Sequence, residues 1–338
     1  MRKLLLLTFV LLLVVPMVGA QDDEIVIGYS APGLDAFQAG VMNSVGRYAT
    51  EKGWQVINQN SPRDAELQAN QIEFLIALDV DAIIAVPVDS QAFCASVRRA
   101  EEAGIPIYTI DRAPIGCKVN MTVQADNYLG GKQSGEAIVE YLIEKYGEPK
   151  GLVLELQGDM GNNVAQLRSA GFNDVIAEYE GIEVVSIPTE WQQEKFFQGT
   201  LDVVGSRDVD AIYAHSDAVG TIPILQALEQ LGKKIPAGEE GHIFLATIDG
   251  TPNCLENIRA GFQDQCSSQP NPDFGLLVNY VEMELNGETI EPGIVEKEGA
   301  PWSPATIEET ETGLMLNLAT TNVTAENVDD PSLWGNAE

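Results

Sequence analysis

Two rhythms of hydrophobic positions alternate along the chain. Short β-branched runs are separated by longer stretches whose apolar residues recur every three or four positions. The first half reads as strand Ile25–Tyr29, helix Phe37–Lys52, strand Gln55–Asn58, helix Ala65–Leu78, strand Ala82–Val86, helix Gln91–Ala103 and strand Ile105–Ile110. In the third of the longer stretches before Gly104, and in the one ended by Gly53, a glycine closes the helix. Strands with helices between them predict βαβ units and a parallel sheet.

The second half repeats the scheme. Strands are predicted at Gly151–Leu156, Ile182–Ile187, Ala211–Ala214 and Ile243–Ile248, with helices at Val164–Tyr179, Phe196–Gly205 and Ile222–Leu231 between them. Two short segments echo between the halves. Val80-Asp81-Ala82-Ile83 returns as Val209-Asp210-Ala211-Ile212, and Thr109-Ile110-Asp111 returns as Thr247-Ile248-Asp249. Each echo falls at the matching place, which points to a duplicated α/β lobe. Open parallel sheets bind ligands beyond the carboxyl ends of their strands. Polar residues gather there: Ser30, Asp111, Arg112, Ser216, Asp217 and Asp249. An aspartate at such a place can also cap a helix, and Asp126 is read as a cap or hinge residue.

Composition narrows the function. The 338 residues suffice for two domains, and 45% hydrophobic content is that of a globular protein. The formal charge is -32. Such a surface repels nucleic acid and anionic lipid, so neither is an expected partner. Arg2 and Lys3 precede the apolar run Leu4–Val15, and Val18-Gly19-Ala20 supplies small residues. Residues 1–20 therefore read as a signal peptide, and the mature chain as a secreted one, periplasmic or on the cell exterior. Cysteines in that setting form disulfides. The layout puts Cys94 and Cys117 in one lobe and Cys254 and Cys266 in the other. The expected bridges are Cys94–Cys117 and Cys254–Cys266. Neither spacing is that of a zinc site, and no metal or cofactor is expected.

Catalytic signatures are wanting. The chain has two histidines, His215 and His242, and no nucleophile elbow, metal-binding helix or phosphate loop. No catalytic residue is assigned, and binding without turnover is the expected activity.

The strand-end residues belong to a longer set of motifs. These are Ile110-Asp111-Arg112, Ala125-Asp126-Asn127-Tyr128-Leu129-Gly130-Gly131, Glu155-Leu156-Gln157-Gly158, Arg168-Ser169-Ala170-Gly171-Phe172 and Asp249-Gly250-Thr251-Pro252. With them the chain resembles the ribose-binding type of periplasmic sugar-binding protein, type I, of ATP-driven (ABC) importers, from about Ile25 to Leu285. The resemblance implies two Rossmann-like lobes with parallel sheets, joined by a hinge of three crossings. These are expected near Ala125-Asp126, at Gln269-Pro270 and within Gly293–Thr312. The implied division is an N-terminal lobe of residues 22–125 and 270–292 and a C-terminal lobe of residues 126–269 and 313–324. Residues 293–312 form an insertion or hinge segment, and residues 325–338 a tail.

The resemblance also implies a monomer that captures a monosaccharide, of the pentose or hexose class, and delivers it to an importer permease. The alternatives are a binding protein reporting to a chemoreceptor or sensor, and a polyol or other small polar ligand. The ligand-binding residues carried over are Ser30, Asp35, Phe37, Gln38, Asp111, Arg112, Arg168, Trp191, Ser216, Asp217, Asp249 and Gln269. Gln38 stands where a second aromatic is usual, Asp35 and Ser216 where asparagines are common. The chemistry suits a sugar. Carboxylates only accept and guanidinium groups only donate, so together they satisfy a rim of hydroxyls in both directions. Aromatic faces at Phe37 and Trp191 would cover its C–H patches.

Overall fold

The computed structural model describes residues 24–337, so the expected signal peptide lies outside the described residues. The first lobe runs β1 (Val26–Ala31), α1 (Ala36–Glu51), β2 (Gln55–Asn60), α2 (Ala65–Ala77), β3 (Ala82–Ala85), α3 (Cys94–Ala103), β4 (Ile107–Ile110) and β5 (Met121–Ala125). The second runs α4 (Asn127–Tyr146), β6 (Gly151–Gln157), α5 (Asn163–Ile176), β7 (Ile182–Pro188), α6 (Gln193–Ser206), β8 (Ala211–Ala214), α7 (Asp217–Gln230), β9 (Phe244–Asp249), α8 (Pro252–Arg259) and β10 (Gln265–Ser268). The chain then returns through a short turn of helix into α9 (Leu277–Leu285), followed by β11 (Gly293–Val295), β12 (Ala305–Thr310), β13 (Gly313–Leu318) and β14 (Thr321–Val323).

Helix starts follow local chemistry. The carboxylates of Asp64 and Asp126 accept from the backbone N–H of Leu67 and Leu129, each at 2.9 Å, and so cap α2 and α4. Asp126 thus is a cap, as read from the sequence. The helix expected from Gln91 becomes regular only at Cys94, and the one expected from Ile222 already begins at Asp217 and carries Pro223 inside it.

The two sheets share one topology. The first five strands of each, all parallel, are ordered β2-β1-β3-β4-β5 and β7-β6-β8-β9-β10. The sequence echoes hold equivalent places in them. Asp81 accepts from Val26 N–H at 2.7 Å, and Asp210 accepts from Leu152 N–H at 2.9 Å, each tying a third strand to the first of its lobe. Asp111 and Asp249 end equivalent strands, and both have positive φ, 65° and 125°. Backbone of that kind is costly for a residue with a side chain and gathers at binding sites.

The C-terminal part departs from the expected division. β13 lies beside β5 as a parallel strand of the first sheet, with β12 and β11 beyond it. Trp302, Ala305, Ile307, Leu316 and Leu318 are buried in the first lobe's core. Residues 293–312 are therefore part of that lobe rather than a separate insertion, and residues 313–318 do not join the second lobe. Only β14 does, antiparallel to β10. The third crossing is accordingly Ala319-Thr320, later than expected. The misreading has a physical cause: alternation along β12 and β13 fits either sheet, and sequence pattern carries no partner.

The disulfide expectation divides. Cys94 and Cys117 are bonded, whereas Cys254 and Cys266 are free, buried thiols. The two thiols are neighbours all the same, their Sγ atoms and an Asp217 carboxylate oxygen lying within 4.8 Å of one another. Cys266 Sγ lies 3.2 Å from Asp217 Oδ2, and Gln263 donates to Cys254 Sγ at 2.9 Å.

The lobes touch along one edge of the cleft between them. Asn163 of the second lobe accepts from Ala113 N–H and donates to Gln124 Oε1, both at 3.0 Å and both in the first. Ser90 N–H donates to Gly161 O at 3.2 Å. This is a closed arrangement.

Candidate functional site

The cleft is built from the carboxyl ends of strands in both lobes. A cavity of about 580 Å³, its mouth included, is lined by Asp35, Phe37, Gln38, Asp111, Arg112, Arg168, Trp191, Ser216 and Asp249 among the expected residues. Each lobe contributes one acid–base pair. Asp111 and Arg112 are consecutive, with Arg112 Nε 3.6 Å from Asp111 Oδ2. Arg168 Nη1 lies 3.4 Å from Asp249 Oδ1. All four residues are at least nine-tenths buried.

Neighbours fix these groups in direction. Gln38 Nε2 donates to Asp111 Oδ2 at 2.8 Å, and Arg112 Nη1 donates to Pro87 O at 3.1 Å. Across the cleft, Asp249 accepts from Gln269 Nε2 at 2.7 Å and from Ser216 Oγ at 2.5 Å. Arg168 donates through Nε to Asn127 Oδ1 at 2.8 Å, and through Nη1 to the His215 carbonyl. Trp191 lies between the guanidinium groups of both lobes, its ring centroid 5.8 Å from Arg112 Cζ and 5.7 Å from Arg168 Cζ.

Three of the expected residues stand behind the wall. Ser30 is buried and accepts from Gln68 Nε2 at 3.1 Å. Asp217 accepts from Gly250 N–H at 2.7 Å and Thr251 Oγ1 at 2.5 Å, and so shapes the turn after Asp249. Gln269 orients Asp249. Asp35 lines the cavity and also caps α1, accepting from Phe37 and Gln38 N–H at 3.1 and 3.0 Å. The sequence reading missed Arg63, Asp159, Val88, Val164 and Val219, all on the cavity. Arg63 and Asp159 follow β2 and β6, so the strand-end rule already pointed to their loops.

Behind the wall, Glu155 of one motif and His215, read from the sequence as a cleft-wall residue, form a second layer that the sequence did not foretell. Glu155 is fully buried and accepts from Ser169 Oγ at 2.7 Å and Ser186 Oγ at 2.5 Å. Its Oε1 lies 3.1 Å from His215 Nε2. Gly158 N–H donates to His215 Nδ1 at 3.1 Å, which makes Nε2 the protonated nitrogen. His215 is thus fully buried behind the cleft wall. Burial lowers its pKa, against the pull of Glu155. Opposing the cost of burial, the bonds from His215 and the serines hold the Glu155 carboxyl below its ordinary range. Trp191 packs so closely on Gly158 that a Cβ there would come 2.0 Å from the indole. The motif Glu155–Gly158 therefore seats Trp191 and, through His215, Arg168.

The model of a periplasmic binding protein domain matches residues 27–289. The chain belongs to this family. Membership implies a protein that works outside the cytoplasm, as the type I sugar-binding proteins of ABC importers do. Among relatives, the ribose import binding protein of Bacillus subtilis is 28% identical over 247 residues, covering 72% of this chain and 76% of its own. That of Haemophilus influenzae is 25% identical over 297 residues, covering 87% and 97%. A solved solute-binding protein of an ABC transporter from Bacillus halodurans, with bound myo-inositol, superposes with a TM-score of 0.77 at 24% identity, over 91% of this chain and 97% of that one. Among the described residues no helix is long and apolar enough to cross a membrane.

In this periplasmic binding protein the cleft chemistry is that of an unsatisfied rim. Gln38 Oε1, Asp111 Oδ1 and Arg112 Nε are buried and have no hydrogen-bond partner among the described residues. Burial raises the Asp111 carboxyl above its ordinary range, against the pull of Arg112 and Arg168. Burial likewise takes Asp249 up to about 8, with Arg168 opposing and Asp217 adding to the rise. Unpaired buried groups of this kind cost about 1–3 kcal/mol each. A solute that donates to the carboxylates and accepts from the guanidinium would remove that cost.

Proposed function

We propose that the chain captures a neutral monosaccharide in the interlobe cleft and delivers it to an ABC importer permease. Asp111 and Arg112 anchor it from the first lobe, and Arg168 and Asp249 from the second. Trp191 covers one of its faces. The observation that carries this reading is the pair of facing acid–base sets, with unpaired acceptors and a donor among them. It is supported by relatives named for ribose import. Residues 1–20 would act as the export signal, removed after Ala20.

Gln38 in place of a second aromatic leaves that side of the cleft polar, which widens the candidates to cyclitols and open-chain polyols. Affinity should be micromolar or tighter, about -8 kcal/mol or better. A thermal-shift panel of D-ribose, D-galactose, D-allose, L-arabinose, myo-inositol and xylitol tests the reading. A bound solute raises the melting temperature by mass action. At least one of the six should do so, and six flat responses at millimolar concentration would overturn the proposal. Co-purification with a permease rather than a membrane receptor tests the delivery step.

A further inference from the structure

The C-terminal tail reaches the binding residues from outside the cleft. After β14 the chain runs along α8 and is fastened there by Arg259. That guanidinium donates to Asp329 Oδ1 at 2.7 Å, Val328 O at 3.1 Å and Asn336 Oδ1 at 2.7 Å. Val328 and Leu333 are buried with Leu255 and Ile258 of the second lobe. The next residue faces the other way: Trp334 packs against the core of the first lobe. Its ring meets Phe37 edge-on, with centroids 6.2 Å apart. Its indole N–H donates to Asp249 O at 2.9 Å. Gly335 lies so close to the turn after Asp249 that a Cβ would be 2.5 Å from Gly250 O.

We infer that this tail is a strap across the hinge and that Trp334 is a positioning residue for the cleft. One side chain holds the first lobe's Phe37 and the main chain of the second lobe's Asp249. That main chain has the φ of 125° that aims the carboxylate, and such a backbone persists only where its surroundings over-determine it. Fastened to one lobe and packed on the other, the strap also favours the closed arrangement. The importance of Phe37 and Asp249 for binding rests on the function proposed above. The strap itself does not, and it is tested without any solute.

The test compares wild type with Trp334→Leu and Trp334→Phe. Spin labels at Arg98→Cys and Glu194→Cys, on exposed positions of the two lobes, report the interlobe distance. Hydrogen exchange reports the Gln269 amide, which donates to the same Asp249 carbonyl as Trp334. In Trp334→Leu the distances should lengthen and broaden, and the Gln269 amide should exchange at least tenfold faster while amides of β6 keep their rates. Trp334→Phe retains a ring against Phe37 but no N–H, so it should restore the distances and leave the Gln269 amide fast. An unchanged distance distribution, an unchanged Gln269 amide or an equal acceleration in β6 would each overturn the inference. Should Trp334→Leu not fold, the Gln269 amide in Trp334→Phe decides alone.

Discussion

Asp111 and Asp249 do matching work from equivalent strand ends, yet their surroundings differ. Asp111 has one oxygen without a partner, whereas both oxygens of Asp249 are engaged. Asp111→Ala should weaken sugar binding by at least ~1–3 kcal/mol, roughly tenfold to a hundredfold, read by calorimetry. Asp64→Ala, which removes the cap of α2 beside Arg63 but no group of the cavity wall itself, should change affinity far less. A second prediction concerns pH. The folded, ligand-free protein keeps the Asp249 proton up to about 8, whereas the unfolded chain releases it near the ordinary value of about 4. Between those values the folded state binds more protons, so this contribution is fully present below about pH 4 and is lost as pH rises towards 8. Melting temperatures of ligand-free wild type should therefore fall more steeply over that window than those of Asp249→Asn. Equal slopes would show that Asp249 titrates normally. Sequence made these anchors legible because they end strands within motifs. It placed Glu155 in a motif and His215 beside the cleft but left their roles unread, because those depend on what packs behind Gly158 and not on any local pattern.

Among the elements, α4 and α5 decide where Arg168 stands. A Cβ on Gly131 would lie 2.1 Å from Arg168 O, and one on Gly171 would lie 2.0 Å from Tyr128 O. The helices can approach this closely only because both positions lack side chains. The glycines in two of the family motifs thus act through packing. Gly171→Ala should cost about 1–3 kcal/mol by overpacking, a fall of some degrees in melting temperature. It should also weaken sugar binding, since Arg168 sits one turn away on the same helix. A variant that melts lower yet binds as well as wild type would separate the helix contact from Arg168. The βαβ elements were readable from hydrophobic rhythm because the inner strands β1, β3, β6, β8 and β9 are buried apolar runs and the helices between them bury one face. β11 to β14 were not, because these short strands join the sheets through β5 and β10, neighbours distant in sequence that no local pattern names.

For the whole molecule, the proposed function makes closure of the lobes over the solute the expected motion. Asn163 lines up three partners from the first lobe: Ser90 Oγ, to which its N–H donates at 3.2 Å, Ala113 and Gln124. It is not among the residues of the cavity wall. Asn163→Ala should therefore reduce affinity severalfold by disfavouring the closed state, since apparent affinity scales with the closed fraction. Scattering should show a smaller radius of gyration with a saturating sugar than without it, and a weaker contraction in the variant at the same concentration. An unchanged radius on sugar binding would mean a rigid module.

The placement of β13 bears on the order in which the protein can be built. β5 has β4 on one side and β13 on the other, and β13 is made almost two hundred residues after it. A nascent chain that has produced everything up to Arg259 still carries a first sheet with one bare edge and a second without β10. Contacts that span so much sequence form late and slowly. Neither lobe can be finished until translation is nearly over, which fits the export proposed for this chain.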